Sequence, residues 1–74
     1  MITIICARCR TRVMRYLKIG EGKVLYCYKD RITRWYIPSG AEIRCPCGNL
    51  IGIEEDARYR MIQGAFTFTG TVQK

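Results

Sequence analysis

Two pairs of closely spaced cysteines constrain the fold of this 74-residue chain more than any other feature. The first pair is Cys6 and Cys9, with two residues between them; the second is Cys45 and Cys47, with Pro46 between them. Two close pairs far apart in sequence are the ligand pattern of a tetrahedral four-thiolate site, which most often holds zinc. The sequence therefore predicts one structural Zn²⁺ ion bound by all four of these cysteines.

The length of the chain supports a metal site. A chain this short predicts one domain over residues 1–74, and a domain of that size often needs a metal or a disulfide for stability. The apolar segment 1–5 is too short for a signal peptide and has no basic residues before it. We therefore expect a cytoplasmic protein, and structural disulfides are rare in that compartment.

Three alternatives to this ligand set stay open. The pairs could be buried or reactive thiols in a metal-free core, or a redox disulfide, although the C-x2-C redox motif normally opens a helix. The C-x-C pair is also one residue shorter than the usual C-x2-C knuckle. Should that spacing prevent chelation, Cys27 would replace Cys47 as the fourth ligand; otherwise Cys27 is a small buried apolar residue.

Alternation of apolar and polar residues, interrupted by turn residues, predicts an all-β protein. Gly20-Glu21-Gly22 predicts a hairpin turn that joins strands 13–19 and 23–29. Further strands are predicted at 32–37, 50–54, 58–63 and 65–69, and segment 41–44 leads into the second knuckle. The predicted fold is a small antiparallel β-meander closed at one end by two zinc knuckles.

Two segments carry a resemblance to known families: Cys6-Ala7-Arg8-Cys9 and Ile43-Arg44-Cys45-Pro46-Cys47-Gly48-Asn49-Leu50-Ile51-Gly52. Together they resemble zinc ribbons, and more narrowly the β-tent group: Yippee-like proteins, the methionine sulfoxide reductase B scaffold and the C-terminal RNA-binding domain of innate-immune RNA helicases. The Ile43–Pro46 knuckle also resembles the phage Com-type zinc finger, an RNA-binding translational regulator. The C-x-C spacing differs from both patterns. The resemblances imply structural zinc and, for two of these groups, RNA as a partner.

Positive charge is concentrated in the first half of the chain. Residues 1–36 hold nine of the thirteen Lys and Arg residues but two acidic residues, and aromatic residues lie among them. Arginines suit bidentate contact to phosphate, and aromatic rings stack on unpaired bases. The sequence therefore predicts binding of RNA or single-stranded DNA. The predicted contact residues are Arg8, Arg10, Arg12, Arg15, Lys18, Lys29, Arg31, Arg34, Trp35 and Tyr36.

Other functions are weighed against this one. A basic surface also suits a protein–protein adaptor or a structural subunit, and Trp35, Tyr36 and Tyr28 could line a small-ligand pocket of the β-tent type. Catalysis is not expected, because the chain has no histidine and a four-thiolate metal has no open position. No apolar run approaches the ~20 residues of a membrane span. We expect a monomer or a small homo-oligomer.

Overall fold

The computed structural model describes residues 1–20, 22–38 and 40–70, and within them the chain is built from antiparallel strands. A short 3₁₀ turn spans Lys29–Arg31, and the described residues include no helix of the length and apolar character that a membrane crossing requires. The predicted all-β antiparallel class is therefore confirmed. The strands are β1 (Ile2–Cys6), β2 (Arg12–Tyr16), β3 (Tyr26–Tyr28), β4 (Ile32–Trp35), β5 (Glu42–Arg44), β6 (Leu50–Glu55), β7 (Arg58–Met61) and β8 (Phe66–Gly70).

The first sheet has the order β4-β2-β1-β8, so the start of the chain forms an inner strand. Sequence analysis did not assign a strand to this segment, although its side chains alternate. Ile2, Ile4 and Cys6 are buried, whereas Thr3 and Ile5 lie on the opposite, outer face. Strand β8 covers the far side of β1 over its full length, from Ile2 opposite Gly70 to Cys6 opposite Phe66. The chain thus joins its first and last strands.

The second sheet has the order β3-β7-β6-β5 and contains the meander that the sequence predicts. Strands β5, β6 and β7 follow one another as antiparallel neighbours. The predicted hairpin between 13–19 and 23–29 is wrong, because β2 pairs with β1 and β4 whereas β3 pairs with β7. The glycines at 20 and 22 carry the chain from one sheet to the other, and Glu21 lies outside the described residues.

One apolar cluster draws buried side chains from both sheets, including Ile4 and Met14 of the first and Ile43 and Ile51 of the second. Within the second sheet, packing is close at Gly52 in β6. A Cβ atom there would lie 3.1 Å from Ile43 Cδ1 and 3.2 Å from Met61 Sδ. An added methyl group there would be in tighter contact than is usual, so these neighbours would have to shift. Because the apolar cluster contains residues of both sheets, the two sheets share one core, and this core positions the two cysteine knuckles.

Candidate metal centre and basic face

The four paired cysteines lie together where the two sheets meet. Cys6 is the last residue of β1, and Cys45 directly follows β5. The Sγ atoms of Cys6, Cys9, Cys45 and Cys47 all lie within 4.8 Å of one another. Cys6 Sγ is 3.7 Å from Cys47 Sγ, and Cys9 Sγ is 3.2 Å from Cys45 Sγ. The predicted convergence of the two pairs is confirmed, and this cluster could hold a metal ion.

Cys27 lies outside this cluster. It occupies the middle of β3, opposite Tyr59 of β7, and its side chain is fully buried. Burial raises the pKa of its thiol to about 12. Cys27 is therefore a small apolar core residue, as the simpler interpretation of the sequence has it, and Cys47 completes the cluster despite the short C-x-C spacing.

Each knuckle turns back on itself at the residue after its second cysteine. In the second knuckle that residue is Gly48, with φ of 98° and its N–H donated to the carbonyl of Cys45 at 2.8 Å. In the first it is Arg10, with φ of 65° and its N–H donated to the carbonyl of Cys6 at 3.0 Å. The left-handed region suits glycine and is uncommon for other residues. The first knuckle therefore holds an arginine in a turn where the second has glycine.

Several N–H groups point at the buried sulfur of Cys6. The Arg8 backbone N–H and the Asn49 side-chain amide both lie 3.4 Å from its Sγ, and the same amide nitrogen donates to the Ala65 carbonyl at 2.9 Å. Burial opposes ionisation, but hydrogen bonds from the Cys9 backbone, Asn49 and Arg8 outweigh it and lower the pKa of Cys6 to about 6. Sequence analysis missed Asn49, whose signal is its place directly after the C-P-C-G turn.

The remaining thiols have contrasting environments. The Thr11 hydroxyl, 3.0 Å from Cys9 Sγ, lowers the pKa of Cys9. Burial, with the neighbouring sulfurs adding to it, raises the pKa of Cys45 to about 12. A cation placed among the sulfurs would offset this penalty, because it favours the thiolate form of every ligand. Four protein ligands would also leave the ion no open position for a substrate.

A basic face covers the outer side of the first sheet; we use this name for Arg12, Arg15, Arg34 and Tyr36. Arg15 of β2 lies opposite Arg34 of β4, and a register shift in the β1–β2 pairing places Arg12 opposite the outward-facing Ile5. The guanidinium carbons of Arg12 and Arg34 lie 5.0 and 5.3 Å from the centroid of the Tyr36 ring. Both distances lie in the cation–π range.

The arginines of this face have no carboxylate partner among the described residues. None of the four strands of the first sheet contains an acidic residue. The ion pairs found in the described ranges all involve acidic residues of the second sheet: Lys29–Glu54, Arg44–Glu42, Arg58–Glu55 and Arg60–Glu55. The positive charge of the basic face is therefore not offset by a carboxylate in the described ranges. Arg8 and Arg10 of the first knuckle are also exposed.

Four of the predicted nucleic-acid contacts do not lie on this face. Lys18 is buried, and Arg31 borders the same cavity as Lys18. Lys29 forms an ion pair with Glu54 of the second sheet. Trp35 is packed against the core, since its neighbour Arg34 points outward and its own ring meets that of Tyr59 edge-on at 5.8 Å. The position of these basic and aromatic residues in the sequence does not determine which face of the sheet they occupy.

The three aromatic residues of the predicted ligand pocket are also separated. Tyr28 borders two surface cavities, one beside Lys18 and one beside Glu55, and neither is lined by Trp35 or Tyr36. No protein-family model, curated protein or solved structure matches this chain. The resemblances to zinc ribbons, β-tent proteins and Com-type fingers therefore stay predictions, and function has to be argued from the chain itself.

Proposed function

We propose that the four-cysteine cluster holds one structural Zn²⁺ ion that fastens the two sheets together. A tetrahedral site with zinc–sulfur bonds of ~2.3 Å has sulfur–sulfur edges of about 3.8 Å. The Cys6–Cys47 distance of 3.7 Å is close to that edge. Four thiolates suit zinc or iron rather than magnesium or calcium. Zinc, unlike iron, has no redox chemistry, which suits a purely structural ion. The knuckles come from different sheets, so one ion would stabilise the whole arrangement.

Native mass spectrometry of the purified protein tests this assignment. We expect one zinc ion per chain. When a strong chelator removes the ion, the circular dichroism spectrum of the folded protein should be lost. Iron would be recognised by its mass and its visible thiolate absorption, and would refute the choice of metal while keeping the site. A folded protein with no metal, unaffected by chelator, would refute the site itself.

We further propose that the protein binds RNA or single-stranded DNA on the basic face. The observation that carries this proposal is three arginines that have no carboxylate partner among the described residues, two of them placed over one tyrosine ring. The guanidinium groups can neutralise phosphates, and both guanidinium planes and the Tyr36 ring can stack on unpaired bases. Duplexes offer no exposed base faces, so single strands are the expected partner.

The geometry supports a surface for an extended strand. The outer row of the sheet runs from Arg34 across Arg15 to Thr3 and Thr69, which lie opposite one another in neighbouring strands. Neighbouring strands lie ~4.8 Å apart, so this row spans several such steps. The arginines lie at one side of the row and small hydroxyl side chains at the other. A nucleic-acid strand could therefore place its phosphates along β2 and β4, beside the small side chains of Thr3 and Thr69.

Fluorescence anisotropy with labelled oligonucleotides of about ten nucleotides tests the proposal. The test variant changes Arg12, Arg15 and Arg34 to Gln, and the matched control changes Arg44, Arg58 and Arg60 to Gln. Both variants lose the same charge, but the control arginines lie on the second sheet. We expect the test variant alone to bind weakly. In that variant the slope of log K against log salt should become less negative by about 2.

A Tyr36→Ala variant separates stacking from charge. It leaves the net charge unchanged, so it should weaken single-strand binding, by ~1–3 kcal/mol for one lost stack, and leave weak duplex binding nearly unchanged. Equal losses in the test and control variants would show binding by net charge alone and would contradict the assigned face. Absence of binding at low salt, with salt-tolerant capture of one protein from lysate, would instead support the adaptor function.

A further inference from the structure

A second basic site lies at a surface cavity of about 140 Å³ between the segment that follows β2 and strand β3. Its polar lining consists of tyrosine, lysine and arginine side chains, and no described acidic residue lines it. Ile19 and Leu25 also border it and are 56% and 55% exposed, so the cavity is open to solvent between them. The residues that matter below are Tyr16, Lys18, Lys23, Tyr28 and Arg31.

Lys18 is the unusual member of this lining, because its exposed fraction is 6% although it is a lysine. Its ammonium group donates one hydrogen bond, to the carbonyl of Gly20 at 2.7 Å. A lysine ammonium has three donors, and a buried charge normally has an opposite charge beside it. Among the described residues Lys18 has no carboxylate partner. Within the described ranges, the positive charge at this position therefore has a carbonyl group beside it but no anion.

The neighbouring groups are also hydrogen-bond donors. The buried Tyr16 hydroxyl accepts the backbone N–H of Tyr28 at 3.0 Å, and its own O–H has no acceptor among the described hydrogen bonds. Burial raises the pKa of Tyr16, so this proton is retained at neutral pH. The Arg31 guanidinium lies 5.0 Å from the centroid of the Tyr28 ring, and Lys23 completes the basic lining. A pocket that presents donors and positive charges is complementary to an anion.

We propose that this cavity binds a phosphate monoester, such as the terminal phosphate of a nucleic-acid strand or of a free mononucleotide. Its volume is close to the ~150 Å³ of a protein cavity that admits one benzene ring, which is enough for a phosphate group but too small for a whole nucleotide. The sugar and base would lie outside, near the exposed rim. This site uses none of the residues of the basic face and does not depend on the function proposed for that face.

Amide NMR titrations with inorganic phosphate and with adenosine 5′-monophosphate test the site. We expect shifts at residues 16–20 and 26–31 that sodium chloride at the same ionic strength does not produce. Lys18→Met and Arg31→Met each remove one charge-assisted contact and should weaken binding at least about tenfold. Arg60→Met, on the second sheet, removes the same charge and should leave binding unchanged. The second lining variant keeps the test decisive if Lys18→Met does not fold.

Two results would overturn the proposal: phosphate and the nucleotide acting no differently from chloride, or both lining variants binding as tightly as the wild type. Oligonucleotides with a 5′-phosphate, a 3′-phosphate or hydroxyl ends identify the source of the ligand. A preference for one phosphorylated end, lost in Lys18→Met, assigns the cavity to strand ends. Binding of the mononucleotide with no end preference assigns it to a free nucleotide. Neither result depends on Arg12, Arg15 or Arg34, so failure of the basic face would be seen separately.

Discussion

Serine substitution at Cys47 and at Cys27 separates metal ligation from burial, because the two hypotheses predict opposite rankings. Cys47 is exposed, and Cys27 is fully buried. In a metal-free protein, an exposed Cys47→Ser would change stability by no more than about 0.5 kcal/mol. Cys27→Ser would place a hydroxyl in an apolar site and cost ~1–3 kcal/mol. Burial alone therefore makes Cys27 the more damaging position.

Metal ligation reverses that ranking. Structural zinc contributes ~10–16 kcal/mol in small zinc-binding peptides. The free energy of unfolding of a typical domain of 74 residues is about 4–11 kcal/mol. The contribution of the metal is thus comparable to or larger than the whole stability, and loss of one of four ligands removes a substantial part of it. We expect Cys47→Ser to be unfolded in a chelator concentration at which Cys27→Ser keeps its zinc.

The assay is native mass spectrometry and circular dichroism of both variants across a chelator titration, with the wild type alongside. Cys27→Ser should contain one zinc ion and show a moderately lower urea midpoint. Cys47→Ser should release zinc at a lower chelator concentration than either of the other two proteins. If Cys47→Ser keeps its metal while Cys27→Ser loses it, the argument from sulfur positions is refuted.

Three further predictions follow from contacts already described. Asn49→Ala removes an amide that orients the Cys6 sulfur, and should lower metal affinity 10–100-fold in a competition titration while Gln63→Ala does not. Gly52→Ala places a methyl group against Ile43 and should lower the free energy of unfolding by ~1–3 kcal/mol in urea, without changing zinc content. The raised pKa of Cys27, about 12, means that the unfolded chain loses this proton first as pH rises above about 8.5. The equilibrium constant for unfolding should therefore rise by up to tenfold per pH unit from there to about pH 12, which means lower stability. This pH dependence should be absent in Cys27→Ala.

The cysteine cluster could be predicted from sequence because its signal is local and chemical. Each cysteine pair lies within four consecutive positions, which in the second pair include the turn residue Gly48. The two pairs can therefore be recognised without knowledge of the fold. The all-β class followed from short segments bounded by turn residues, such as 50–54 and the alternating 58–63, which form β6 and β7 with nearly the same bounds. Local patterns of this kind survive folding because the sheet preserves the two-residue period.

Long-range pairing could not be predicted in the same way. Gly20 and Gly22 have the composition of a hairpin turn, but the strands on either side pair with β1 and β7 instead of with each other. The register shift near Ile5 buries both Val13 and Met14 and returns Arg12 to the outer face, which strict alternation does not allow. Such an irregularity depends on the partner strand, so the faces of the arginines became clear only from the structure.

The pairing of β1 with β8 has a consequence for how the protein is made. Ile2 is synthesised well before the strand that pairs with it, which ends at Gly70, so the first sheet stays incomplete until that strand has been made. The cysteine at position 47 emerges well before that strand does. Contacts between distant segments are slow to form because a long loop must first close. An ion captured by the two knuckles, as proposed above, would shorten that loop during translation, before β8 has been made.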